Sequence, residues 1–247
     1  MARNRIILLI LLLLSIQLAG QNSPGDQNAE TILAKMAETY RKCKRYSDSG
    51  MVQTTFISSD KRQRIDRKPF KTVFIRPDRF RFQFRSKIVT GQLQRENIYI
   101  IYKAHDLIRS WWDLNPIVKT ENSLSMAIAG ATGVSGGASH TIPALLMPNH
   151  ITGRRLTDLQ DPIRIDDEYF RNQDCFCIHG YMKDTEMIIW ISKRSNLVLK
   201  IEELHNFSDF KTEKVTTYYP SIHRKIAKKS LAFNPPVPVQ QSKNILK

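Results

Sequence analysis

Residues 79–85 read RFRFQFR, a strict alternation in which Arg79, Arg81, Gln83 and Arg85 fall on one side and Phe80, Phe82 and Phe84 on the other. A period of two predicts a β-strand with one wet and one buried face. The three phenylalanines imply that the buried face looks into a large apolar interior. Pro77 cannot donate to a ladder, so it marks the start of that strand or an edge. Further strand patterns cover about 50–57, 70–75, 79–88, 97–102 and 107–113, with a turn at Ala104-His105-Asp106. Upstream, Asp26 or Asn28 can cap a helix that runs to about Cys43. Ala29, Leu33, Met36, Tyr40 and Cys43 form its apolar stripe. Strand patterns resume at about 152–158, 163–170, 174–182, 186–192, 197–206 and 210–219, with turns at Asp184-Thr185 and Asn196. The prolines of LAFNPPVP, 231–238, close the regular structure.

Between the two sets of strands the texture changes. Residues 121–149 carry almost no charge and many small side chains. Two short apolar helices are expected, Ser123 to Ala131 and Ser139 to Met147, joined by Gly133-Val134-Ser135-Gly136-Gly137. Pro143 is expected in the first turn of the second helix, and Pro148 stops it. A helical, apolar, glycine-hinged interlude in a β-meander has the character of a lid or plug.

The chain has 247 residues and a net charge of +15, and stays strongly basic without Arg3 and Arg5. Those two arginines precede the apolar run Ile6 to Leu18. That pattern predicts a cleavable export signal over residues 1–20, and it is shorter than the roughly 20 residues of a spanning helix. Leu18-Ala19-Gly20-Gln21 is similar to a lipobox with Gln21 in the cysteine position, so no lipid can be attached there. The expectation is a soluble periplasmic protein with one domain over 21–238 and a polar tail over 239–247. Basic stretches at 61–68, 76–87 and 224–229 suit a solvated face or transient contact with an anionic membrane surface; export argues against nucleic acid. Of Cys43, Cys175 and Cys177, at least one is left unpaired within a monomer, and Cys43 could pair with either of the others.

Four segments in this order resemble the LolA-like superfamily of periplasmic lipoprotein carriers, and more closely its DUF2092-type members. They are ILAKMAETYRKCKRYSDSG, FIRPDRFRF, NIYIIYKAHDLIRSW and LAFNPP, and they span about residues 29–236. The resemblance implies an α+β fold: an incomplete, strongly curved antiparallel β-barrel with helices covering its concave face. It also implies a carrier that holds a lipidated protein's acyl chain or another amphiphile between half-barrel and lid, with no cofactor and no enzymatic activity. In the lipoprotein carrier the arginine of the RP dipeptide holds the lid closed, and the matching residue here is Arg76. A related module serves in envelope-stress signalling, so a sensor domain that binds a membrane-protein partner is the alternative.

An acyl chain needs apolar concave surface, worth about 0.8 kcal/mol per buried methylene. Phe80, Phe82 and Phe84 on the sheet and Leu124, Met126, Ile128, Leu145, Leu146 and Met147 on the lid are the candidate lining. The same residues suit ordinary core packing, and the sequence leaves both readings open. Residues 133–137 formally match G-x-S-x-G with His140 nearby. That motif works on a strand-to-helix turn with the acid and histidine further on, so a glycine hinge is the better reading and Ser135 is not expected to be catalytic. Cys175, Cys177 and His179 share one strand face, but alternate side chains stand roughly 6.6 Å apart, so one strand cannot close a metal site with all three.

Overall fold

The computed structural model describes residues 27–90 and 93–236. The expected export signal, Gln21 and the expected polar tail lie outside the described residues. Helix α1, Ala29–Lys42, opens the fold; Asn28 caps it by accepting the Thr31 N–H, and Arg41 and Lys42 lie at its negative end. Its buried residues are Ala29, Ile32, Leu33, Met36 and Tyr40.

Six strands follow: β1 Arg45–Ser58, β2 Gln63–Ile75, β3 Arg79–Thr90, β4 Leu93–Ala104, β5 Leu107–Trp112 and β6 Asn115–Thr120. Helices α2, Leu124–Thr132, and α3, Ala138–Leu146, come next, then a 3-10 turn, Leu156–Asp158. Five more strands follow among the described residues: β7 Gln160–Phe170, β8 Gln173–Met182, β9 Thr185–Ser192, β10 Val198–Asn206 and β11 Phe210–Tyr218. A 3-10 turn, Lys228–Leu231, lies in the arm after β11.

All eleven strands make one antiparallel sheet in the order β6-β5-β4-β3-β2-β1-β11-β10-β9-β8-β7, which leaves β6 and β7 as free edges. The sheet must curl, because inward residues from both wings meet the same three helices. Phe84 of β3 and Ile101 of β4 share one apolar core with Ile178 of β8, Ile189 of β9 and Ile201 of β10. The expected incomplete curved barrel with helices on its concave face is the architecture found. Glycine is required where β1 passes beneath an aromatic ring: a Cβ on Gly50 would stand 2.2 Å from Phe70 Cζ and 2.5 Å from the Thr217 carbonyl oxygen.

Two expectations are corrected and one strand is added. Residues 152–158 form no strand; the segment ends in the 3-10 turn, with Leu156 buried against the core. Pro143 sits in the middle of α3 rather than in its first turn, because the left-handed Gly137 (φ 91°) starts the helix at Ala138. Strand β6 is an addition that the expected strands do not include; its Pro116 is tolerated because the strand lies at an edge.

Candidate lid and apolar site

The alternation of β3 does what the sequence implies. Phe80, Phe82 and Phe84 are each 0% exposed. Across the ladder they face Phe74, Thr72 and Phe70 of β2, and Lys103, Ile101 and Tyr99 of β4. The rings interlock: Phe84 stacks with Tyr99 at 6.0 Å, and Phe70 meets Phe82 at 6.2 Å and Tyr218 at 5.6 Å. Aromatic pairs at such distances add about 0.5–1.5 kcal/mol beyond area burial.

The two short helices lie on this surface. Leu124 and Ile128 of α2, Leu145 and Leu146 of α3, and Met147 after it are buried and belong to the same core as the phenylalanines. Met126 departs from the expectation. It is 59% exposed, because it projects from α2 on the side away from Leu124, Ala127, Ile128 and Ala131. The candidate lining is therefore packed against itself, and an acyl chain gains access only if α2 and α3 move off the sheet.

The glycine linker is fitted to β1. Gly136 has φ +65°, and a Cβ there would lie 2.9 Å from Val52 Cγ1. Ser135 is buried in the linker; its Oγ contacts the Thr132 carbonyl and Ser139 Oγ. His140 Nε2 meets the Thr152 carbonyl oxygen at 2.9 Å instead. The two residues thus serve the linker and the neighbouring loop.

Two cations tie the helical segment to the elements around it. Arg76 Nε donates to the Cys43 carbonyl at 3.1 Å, and Nη2 donates to the carbonyls of Tyr40 at 3.3 Å and Leu146 at 3.1 Å. One guanidinium thus gathers carbonyls from the C-terminal ends of α1 and α3, where the helix leaves acceptors unpaired and the dipole is negative. Its plane lies over the Phe74 ring at 5.0 Å. Lys214 of β11, which the sequence reading did not single out, donates to the Gly136 carbonyl at 3.3 Å and meets the Glu203 carboxylate. No short-range pattern signals Lys214: only the curl of the sheet brings it to a linker 78 residues away. Beside it, at the rim of α3, a cleft of about 210 Å³ is lined by His140, Arg155, Met187, Glu203 and Lys214.

One carboxyl was also missed. Asp48 of β1 lies on the inward side by alternation with Tyr46, is 6% exposed, and accepts the Tyr219 N–H at 2.9 Å. Burial pushes its pKa from 3.8 up to about 7.

The three cysteines are free thiols. Cys43 packs in the main core, whereas Cys175 and Cys177 lie on the outer face of β8 in a small cluster with Trp190 and Leu199. His179 Nε2 contacts Glu186 Oε1 at 2.9 Å. Among the described residues no group of three or more His, Cys, Asp or Glu is placed to hold a metal, and no helix is long and apolar enough to cross a membrane.

No protein-family model matches the sequence, and no curated protein matches it either. Solved structures with a similar fold exist. The chain is similar to the LolA superfamily protein NE2245 from Nitrosomonas europaea, at 12% identity over 84% of this chain and 99% of that one, with a TM-score of 0.31. LprF from Mycobacterium bovis aligns at 7% identity over 80% and 94% of the two chains, with a TM-score of 0.46. A structure of the Pseudomonas aeruginosa MucA/MucB complex aligns at 11% identity with a TM-score of 0.42; the match covers 83% of this chain but spans only 61% of that one.

Proposed function

We propose that this protein is a LolA-like exported binding or carrier protein that holds an acyl chain or similar amphiphile between its curled sheet and a lid formed by α2 and α3. The observation that carries this reading is how the lid is attached. Its inner side is apolar, its linker is glycine-rich, and its polar ties to the sheet include single hydrogen bonds from Arg76 and Lys214. Such a cover can exchange its own side chains for a ligand of the same chemistry. Roughly ten methylenes contribute about 8 kcal/mol on burial, comparable with the several lid side chains they would displace at about 1.5–3 kcal/mol each. Phe80, Phe82 and Phe84 are the floor of the proposed site, Leu124, Ile128, Leu145, Leu146 and Met147 its roof, and Arg76 the latch. The proposed compartment is the periplasm, the chemistry is binding rather than catalysis, and placement among DUF2092-type proteins belongs to the same proposal.

The test is native mass spectrometry, with lipid extraction, of protein isolated from the periplasm without detergent. A discrete added mass that extracts as an acylated molecule supports the carrier. A mass that stays bare after incubation with lipids and lipopeptides overturns it.

One observation favours a second reading, a sensor that binds a segment of a membrane protein. Edge strand β6 is exposed along its whole length, with Ile117 61% exposed and Val118 beside it. An open edge with apolar side chains suits strand addition by a partner peptide. Crosslinking from position 117 to a single membrane protein would favour it, and a lack of specific crosslinks would not.

A further inference from the structure

The opposite face of the same strands carries a second cleft, of about 420 Å³, outside the lid and its core. Its floor is the outer side of β1–β3, where Ser49, Lys71 and Gln83 are aligned across the ladder and Arg81 lies opposite Val73. Its other wall is the arm that follows β11. Ser221 fixes one end of that arm through paired backbone hydrogen bonds with Ser47, at 2.9 and 2.8 Å. Buried Leu231 and the contact of Phe233 with Tyr102 at 5.6 Å fix the other. Between these anchors the arm bows over the sheet and brings Arg224 and Lys225 to the cleft.

Four cationic side chains, Lys71, Arg81, Arg224 and Lys225, therefore line one concavity. None of them forms an ion pair with a carboxylate among the described residues. Asp48 also borders the cleft, but its Oδ1 is engaged by the Tyr219 N–H. Arg81 is half-buried, its Nη2 donates to Gln83 Oε1 at 2.7 Å, and its Nε is buried with no hydrogen-bond partner. Burial and the neighbouring Arg85 both disfavour its charged form. Four like charges, none of them ion-paired, focus a positive potential into the concavity, and a multiply charged anion would relieve both the repulsion and the desolvation.

We infer that this cleft is a binding site for a phosphoryl group, held by the Arg81 guanidinium and the ammonium and guanidinium groups of Lys71, Arg224 and Lys225. Arginine matches phosphate oxygens with a planar fork, and lysine adds a compact charge. The cleft volume falls within the range of small-ligand sites, about 300–1,000 Å³. The same chemistry is offered by a soluble phosphate ester and by an anionic phospholipid headgroup. The site lies on the other side of the sheet from the lid, so it stands or falls independently of the acyl-chain reading.

The experiment uses the full chain, with glycerol 3-phosphate in calorimetric titrations and vesicles of phosphatidylglycerol or phosphatidylcholine in flotation. The variants are Arg81→Gln and the triple Lys71→Gln/Arg224→Gln/Lys225→Gln; the three side chains replaced in the triple variant are all exposed, so it is expected to fold. Saturable binding of glycerol 3-phosphate, weakened at least about tenfold in the triple variant, supports the site with a soluble ester as ligand. Flotation with phosphatidylglycerol alone, displaced by glycerol 3-phosphate and lost in the triple variant, supports it with a headgroup as ligand. Absence of both, or affinities that neither variant changes, overturns the inference.

Discussion

Strands β2 and β3 present two faces built from neighbouring residues and treated in opposite ways. Inward, Phe70, Phe74, Phe80, Phe82 and Phe84 are buried in one core with α2 and α3, where Phe70 stacks with Phe82 and Phe84 with Tyr99. Outward, Lys71, Arg81 and Gln83 meet an arm that is anchored at its ends and leaves a cleft between. Apolar side chains gain by excluding water, so a cover over them closes down. Unpaired cations lose by desolvation, so a cover over them stays open. One alternating heptapeptide thus builds a sealed surface and a wet one, and the proposed ligands differ accordingly, an acyl chain on one side and a phosphoryl group on the other.

The largest expected effect tests the contrast directly. Phe82→Ala should lower unfolding stability by about 3–5 kcal/mol, while Gln83→Ala, one residue on, should stay within about 0.5 kcal/mol. Urea unfolding of the pair reads the difference. Similar losses in both would mean that the outer face is as tightly packed as the inner one.

A second expectation concerns the one carboxyl at the seam between the faces. Asp48 has a folded pKa near 7 against an ordinary 3.8. The folded state therefore holds a proton that the unfolded state has released, and stability falls as pH rises from about 4 to about 7. Above that window the charged, buried group costs a few kcal/mol. Asp48→Asn removes the titration, while its amide oxygen can still accept the Tyr219 N–H. The variant should match the parent near pH 4 and exceed it by a few kcal/mol near pH 8. Denaturation curves that keep a constant gap across that range would count against it.

Smaller again is the effect at Arg76, the proposed latch. Arg76→Ala leaves the carbonyls of Tyr40, Cys43 and Leu146 without their shared donor, at a cost of about 1–3 kcal/mol. Because that donor joins α3 to the end of α1, the loss should be local. Hydrogen exchange should accelerate in α3 while β8–β10 stay protected. Equal acceleration everywhere would make Arg76 a general stabiliser and not a latch.

Much of this was legible in the chain and some was not. Strands with one wet face announce themselves, and Arg79–Arg85 is the clearest case. Strand β6 hides because every residue of it is exposed, so no alternation marks it. Residues 152–158 are mostly exposed around the buried Leu156 and bend into a 3-10 turn without pairing to a neighbouring strand, which a one-dimensional pattern does not reveal. Arg76 came from a motif resemblance, whereas Lys214, Asp48 and the arm over Lys71 and Arg81 exist as sites only once the sheet has curled and the arm has crossed it. Long-range closure places them, and no local period encodes it.

The lid shows the same limit at the scale of single residues, and gives the smallest expected effect. Helix α2, LSMAIAGAT, has no charged residue to mark its outer side, so the sequence could not say which apolar positions turn inward. The structure separates them: Ile128 is buried in the core and Met126 is exposed. Met126→Gln should therefore change stability by less than about 0.5 kcal/mol and leave acyl-ligand binding intact. Ile128→Ala should cost about 2–5 kcal/mol. Thermal unfolding of the two variants, followed by lipid extraction, separates the sides of the helix. If Met126→Gln instead abolished ligand retention at unchanged stability, Met126 would face the ligand in the loaded state, and lid opening would include a rotation of α2 about its own axis.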